Sequence, residues 1–219
     1  MLRVKGVIFD VDGTLADSIG FFYKVALEIL RLAGAPPVSQ EQVLALMRLG
    51  DAAPLEKLFP PDFPNPSATL KRITDERMHD WMHQYHNETV AIPGSIELLH
   101  GLHAQGLQLG IATSSGRALP FLDRWGVRHL FHGIVGREDV ESRKPHPEPI
   151  FKCLNHLKLD PHEVTYVGDS IVDIRAGKAA GVSTVGVLTG TSTQDILHQE
   201  EPDHILESVA ALLHILEKK

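Results

Sequence analysis

The first apolar run of the chain, Val7-Ile8-Phe9, alternates with nothing polar and stops at Asp10-Val11-Asp12-Gly13. A short continuous run of this kind reads as a strand buried on both faces of a parallel sheet. Its end marks the edge at which open α/β sheets bind ligands. Asp10 and Asp12 fall at that end, and two-residue alternation sends both to one side of the strand. The pattern then changes. Asp17 or Ser18 caps a helix that carries Ile19, Phe22, Val25, Ala26, Ile29 and Leu30 at helical spacing to near Gly34. Ser39 with Gln42 forms a capping box for a second helix through Met47. After the proline-rich stretch Phe59 to Pro66, a longer helix spans Ser67 to Asn87. Nothing between Asp17 and Glu88 reads as a strand.

From Pro93-Gly94 onward, helix and strand alternate. Helices are predicted over Ser95 to Gln105, Arg117 to Trp125, Pro147 to Leu157, Ile171 to Ala180 and Ser208 to Leu216. Strands are predicted over Leu107 to Thr113, Gly133 to Val135, Val164 to Val167, Thr184 to Val187 and His204 to Leu206. Such alternation means βαβ units, hence an α/β, Rossmann-like parallel sheet covered on both faces. A helical block of residues 17–90 therefore interrupts a sheet core made of residues 1–16 and 91–219, just after its first strand.

The chain has 219 residues, 43% of them hydrophobic, which suits one core with a modest insertion. A net charge of -7 gives neither nucleic acid nor an anionic membrane an electrostatic reason to approach. No apolar stretch nears the roughly 20 residues of a membrane span, and no signal-like segment precedes the first strand, so a cytoplasmic protein is expected. The one cysteine, Cys153, sits among Ile150, Phe151, Leu154 and Leu157 and reads as a packed core thiol.

Four strand ends carry useful polar groups: Asp10 with Asp12, Thr113 with Ser114, Lys144 beyond the third strand, and Asp169. Any one of them has an ordinary structural use, as a helix cap, a turn carboxylate or a solvated lysine. In a parallel sheet, however, the four ends converge on one edge. Together they suit a metal and a phosphate, with Asp10 as nucleophile. Two unit charges about 4 Å apart repel by roughly 4 kcal/mol at an effective dielectric of 20, and a phosphate dianion feels about twice that. A divalent cation on Asp10 and Asp169, with the Lys144 ammonium, offsets the repulsion. Oxygen-only ligands select a hard ion, Mg²⁺ first.

The strand Asp10-Val11-Asp12-Gly13-Thr14-Leu15, the segment Ile111-Ala112-Thr113-Ser114-Ser115, the run Lys144-Pro145-His146-Pro147, and Gly168-Asp169-Ser170-Ile171-Val172-Asp173 occur in that order. With these motifs the chain resembles the haloacid dehalogenase (HAD) superfamily of phosphatases, in the branch of phosphoglycolate phosphatases and β-phosphoglucomutases. The resemblance implies that Asp10 attacks phosphorus and that Asp12 protonates the leaving oxygen and later activates water. It implies Mg²⁺ held by Asp10, the Asp12 backbone carbonyl and Asp169, phosphoryl oxygens bound by Thr113, Ser114 and Lys144, and Asp173 supporting from behind. It makes residues 17–90 a mobile cap hinged near Ala16 to Ser18 and Val90 to Pro93. Arg48 and Gly50 resemble the cap arginine and glycine of phosphoglycolate phosphatases, with Arg48 a candidate for a substrate carboxylate and Lys57 a weaker one. Ser114-Ser115 departs from that family's asparagine and lysine, so the substrate is less fixed than the reaction.

The expectation is a Mg²⁺-dependent phosphatase of a small phosphorylated metabolite, phosphoglycolate or a sugar phosphate, acting as a monomer or small homo-oligomer. The alternatives are a β-phosphoglucomutase-type phosphotransferase and a catalytically silent phosphometabolite-binding protein. His79, His83 and His86 repeat on the long helix opposite its apolar face and are expected to face solvent.

Overall fold

The computed structural model describes residues 1–49 and 55–217. Strand β1 (Gly6–Phe9) leads into β2 (Ala16–Asp17), and the helices α1 (Ile19–Leu32), α2 (Gln40–Met47) and α3 (Pro66–Glu88) follow before β3 (Val90–Ala91). The remainder is α4 (Ser95–Ala104), β4 (Gln108–Ala112), α5 (Pro120–Arg124), β5 (Phe131–Val135), α6 (Glu148–Leu157), β6 (Val164–Gly168), α7 (Ile171–Ala180), β7 (Ser183–Val187), α8 (Gln194–Gln199) and β8 (His204–Leu206). Six strands make a parallel sheet in the order β5-β4-β1-β6-β7-β8, while β2 and β3 pair antiparallel by themselves.

β1 lies in the middle because it has no polar face to expose. Val7, Ile8 and Phe9 are all fully buried, and Gly6 stands opposite Gln108 on one side and Val164 on the other. Alternation divides the core. Val7 and Phe9 join a cluster with Leu98, Leu102, Phe121 and Leu212 on one face of the sheet. Ile8 joins Ile150, Cys153, Leu157 and Ala176 from α6 and α7 on the other. The chain steps outward from β1 to β4 and β5, then returns to β6 on the opposite side. The carboxyl end of β1 is therefore the topological switch point of the sheet.

All three helices of the insertion lie between β2 and β3. Ile29, Ile73 and Trp81 form a small buried cluster of their own between α1 and α3. Pro66 opens α3, where its missing N–H costs nothing, and the Ser39–Gln42 capping box opens α2. The last turn of α3 belongs to the other core: Tyr85 is buried in the β1 cluster and meets Phe121 edge-on at 5.6 Å. Arg124 closes that helix end by donating to the carbonyls of His86 and Thr89, each at 2.7 Å.

Several boundaries differ from the sequence expectation for identifiable reasons. The helix expected from Arg117 begins at Pro120, because proline disfavours helical backbone at the preceding Leu119, which has ψ 73°. The last helix is a 3₁₀ segment, Val209–His214, whose buried Val209 and Leu212 have the three-residue spacing of that form. The short α8 and the β2–β3 pair had not been expected.

Candidate active site

The carboxyl end of β1 delivers Asp10 into a buried knot of charge. Lys144 Nζ, on a side chain only 3% exposed, donates to Asp10 Oδ1 at 2.8 Å, to Asp173 Oδ1 at 2.6 Å and to the Tyr166 hydroxyl at 3.0 Å. The Tyr166 hydroxyl lies 2.9 Å from both the Ala112 carbonyl and the Asp173 carboxylate, and its one proton serves either acceptor. Burial alone would push Lys144 down, but the charges of Asp10 and Asp173 outweigh it and hold the pKa well above the ordinary lysine value. The residue is an ammonium. Asp10 is raised as well, but by burial: its pKa stands well above the usual carboxylate range, with Lys144 opposing the rise and Asp173, Asp169 and Asp12 adding to it.

Asp12 follows a different course. Its carboxylate takes the Ser18 hydroxyl at 2.6 Å and the Tyr85 hydroxyl at 2.9 Å on one oxygen, and the Ser115 hydroxyl at 2.6 Å on the other. Burial and the neighbouring Asp12 push the Tyr85 phenol well above its ordinary pKa, so it stays a donor. Hydroxyls both donate and accept, so the same three groups can hold Asp12 as a carboxylate or as an acid. Asp10 and Asp12, adjacent in the motif, thus face partners of opposite kind: one an ammonium, the other a ring of hydroxyls.

Asp169, at the end of β6, is gripped from the loop after β7. The Thr191 N–H and hydroxyl donate to Asp169 Oδ2 at 2.7 and 2.9 Å. Burial and Asp173 still push Asp169 up to about 7 against those bonds. The approach needs two glycines. A Cβ on Gly13, whose φ is +79°, would stand 2.8 Å from the Gly190 Cα and 2.9 Å from the Asp169 Cγ, and a Cβ on Gly190 would overlap the Asp169 carboxylate outright.

Asp10, Asp169 and Asp173 each present a carboxylate oxygen within 4.8 Å of the others, all three buried. Three carboxylates against one ammonium, with oxygen donors alone, fit a hard divalent cation. Asp173 already spends both oxygens: one on Lys144 and Tyr166, the other on the N–H and hydroxyl of Ser170, which it caps at the start of α7. Asp10 and Asp169 keep lone pairs with which they could hold such an ion. Asp10, Asp12, Thr113, Ser114, Lys144, Asp169 and Asp173 all line one pocket of about 110 Å³. Thr113 is buried there, and its hydroxyl accepts from the Ser115 N–H at 3.1 Å.

The Lys144 segment is held by the first turn of α6. Glu148 accepts the N–H groups of Glu141 and Ser142 at 3.1 and 2.8 Å and pairs with Lys152 at 2.9 Å. The hydrogen bond from Lys152, then those two backbone bonds, lower the Glu148 pKa to about 2. A carboxylate depressed in the fold adds stability above its unfolded value and loses it as pH falls toward about 2. Glu148→Ala is therefore expected to lower the urea midpoint at pH 7 and to differ less from the parent at pH 3, read in parallel unfolding curves.

Arg48 is buried against the loop that follows β7. Its Nε donates to the Thr191 carbonyl at 2.5 Å, and Nη1 and Nη2 engage Glu41 at 2.6 and 3.2 Å. The guanidinium sequence analysis offered to a substrate carboxylate thus joins α2 to the loop that grips Asp169, and is neutralised by Glu41. Gly50, offered with it, lies outside the described residues. Lys57 sits in a short 3₁₀ segment, Leu55–Leu58. His79 and His83 are exposed, and His86 is half-buried against the Tyr85 ring at 5.4 Å. Cys153 is fully buried, and burial pushes its thiol up.

The residues that sequence analysis missed are those that hold the motif residues: Ser18, Tyr85 and Ser115 around Asp12, Tyr166 beside Lys144, and Thr191 on Asp169. Of these only Ser115 carried a signal, since it closes the motif segment that follows β4.

The architecture places a cluster of buried aspartates at the switch point of a parallel sheet. Residues 7–187 match the family model of haloacid dehalogenase-like hydrolases, and the chain belongs to that family. Among its relatives, the phosphoglycolate phosphatase of Salmonella typhi is 31% identical, with 98% of this chain and 93% of the relative aligned. That of Salmonella typhimurium is 32% identical over the same shares. Among solved structures, a predicted phosphoglycolate phosphatase from Haemophilus somnus superposes with a TM-score of 0.82 at 27% identity, covering 98% of this chain and 99% of that one. A β-phosphoglucomutase from Clostridium difficile shares the fold, with a TM-score of 0.75 at 18% identity, covering 95% and 93%. Among the described residues no helix is long and apolar enough to cross a membrane.

Proposed function

We propose that this hydrolase is a Mg²⁺-dependent phosphatase that cleaves small phosphomonoesters through an aspartyl-phosphate on Asp10. The observation that carries the reading is the convergence of Asp10, Asp12, Thr113, Lys144 and Asp169 on one pocket of about 110 Å³.

Asp10 forms the new bond to phosphorus as the ester oxygen departs, and Asp12 gives that oxygen its proton. Asp12 then takes a proton from water, whose oxygen attacks phosphorus and breaks the Asp10–phosphorus bond. Lys144, Thr113 and Ser114 bind the phosphoryl oxygens, and Asp173 positions Lys144. Asp10, Asp169 and the Asp12 backbone carbonyl would hold Mg²⁺, which when bound neutralises charge on the transferring group. Residues 17–90 act as the cap over residues 1–16 and 91–219, hinged at β2 and β3, and exclude water from the reacting atoms.

The test is phosphate release from a panel of phosphorylated metabolites, with the relatives' named substrate, phosphoglycolate, and sugar phosphates included. Turnover that requires a divalent cation supports the reading; none from any member rejects it. Cation binding should also be proton-linked. With Asp169 raised to about 7, the ion must displace a proton below that pH and need not above it. Mg²⁺ is expected to raise the thermal midpoint more at pH 8 than at pH 6, and Asp169→Asn to remove most of that rise.

A further inference from the structure

Beyond Asp12 the phosphoryl pocket opens into a second cavity of about 440 Å³, within the range of small-molecule sites. The two share Asp12, Phe22, Met47 and Ser114 on their walls, so whatever is esterified to a phosphate held at Asp10 extends into the larger one. Its walls come from the three inserted helices: Phe21 and Val25 from α1, Leu46 from α2, Trp81 and Met82 from α3.

Polar groups near this space are already engaged. The Trp81 indole N–H donates to Glu28 at 3.1 Å, leaving the ring itself for the cavity. Tyr85 and Ser115 spend their hydroxyls on Asp12. Arg48 is spent on Glu41 and the Thr191 carbonyl and is not part of the wall. Among the described residues, the other polar members of the wall are Ser114 next to the phosphoryl pocket, Thr74, and Arg137, which is exposed. A sugar placed here would give up hydrogen bonds to water for few replacements. A two-carbon acid would leave most of the volume unfilled and meet mainly apolar walls, with the exposed Arg137 as the cation among the described wall residues.

Resting on the phosphatase reading above, we infer that the preferred substrate is the phosphomonoester of an apolar alcohol, with an aliphatic chain or aromatic ring large enough to fill the space between α1, α2 and α3. The alcohol's burial, not a charge on it, supplies the selectivity. Each added methylene gains contact until the cavity is full.

The test compares kcat/KM of the full chain with Mg²⁺ on ethyl, n-hexyl and 2-phenylethyl phosphate, phosphoglycolate and glucose 6-phosphate. The primary alkyl esters have leaving groups of similar acidity, so their ratio reports the pocket and not the chemistry. Hexyl and 2-phenylethyl phosphate are expected to exceed ethyl phosphate, phosphoglycolate and glucose 6-phosphate by about 30-fold or more. Leu46→Gln, and independently Met82→Gln in case the first variant folds poorly, should shrink the hexyl-to-ethyl ratio at least about 5-fold, since each puts an amide where the chain would lie. Phosphate release with a flat ratio, or with phosphoglycolate or glucose 6-phosphate preferred, overturns the inference and leaves the phosphatase reading standing. No release from any ester overturns both.

Discussion

Asp10→Asn is expected to lower phosphate release by at least about 10³-fold while leaving the protein as stable as the parent or more so. The loss follows from chemistry: an amide cannot form the acyl phosphate, and removing a nucleophile forfeits the covalent route entirely. The stability follows from electrostatics. Burial and three neighbouring carboxylates push Asp10 well above the ordinary range, so its charge is held at a cost in the fold. An uncharged isostere removes that cost, and Lys144 keeps Asp173 at 2.6 Å. A thermal midpoint that rises or holds while turnover disappears is the signature of a group kept for chemistry and not for folding. A variant that retains turnover would contradict the assignment, and one that merely unfolds would contradict the electrostatics.

Lys144→Met should damage both properties. The side chain is about the right length to fill the space, but it leaves Asp10 and Asp173 buried without their shared cation. Breaking a buried pair in this way costs about 3–5 kcal/mol. Without that cation, burial keeps Asp10 protonated in the fold at a pH where it is ionised in the unfolded chain. A carboxyl raised in the folded state loses stability as pH climbs above its unfolded value, so the deficit should widen from pH 5 to pH 8. Turnover should fall by about 10²-fold or more, because the phosphoryl oxygens lose a preorganised positive charge. Urea unfolding at the two pH values, with chelator present, separates the two effects from any cation. A pH-independent deficit under about 1 kcal/mol would mean that Lys144 is not the counter-ion described here.

What the sequence made legible is the part of the site that local pattern controls. Val7-Ile8-Phe9 reads as a strand buried on both faces, and open α/β sheets bind ligands at the carboxyl ends of such strands, so the sequence alone led to the expectation of Asp10 there. Thr113 and Asp169 followed because each also stands where an apolar run stops, and Lys144 followed from the Lys144-Pro145-His146-Pro147 motif, which lies well beyond β5. The partners that tune these groups were not legible. Tyr85 lies 73 residues from Asp12, and its position on the apolar stripe of α3 says that it is buried, not what its hydroxyl meets. Thr191 sits in a polar stretch after β7 that looks like any loop. Only the close approach permitted by Gly13 and Gly190 turns it into the residue that grips Asp169. Arg48 shows the same limit from the other side. Its motif context offered it to a ligand, whereas the fold brings Glu41 from its own helix and the Thr191 carbonyl from the sheet domain to meet it.

The claim on which the rest depends is that Asp10 itself becomes phosphorylated. Acid-quenching the enzyme during turnover with Mg²⁺, reducing it with borohydride and sequencing its peptides by mass spectrometry reads this directly, because an acyl phosphate is reduced to the alcohol and aspartate is not. Homoserine at position 10, present only in samples quenched with substrate, is the expected result. Sustained phosphate release with an unmodified residue 10, or with the mark on another carboxylate, would contradict the account.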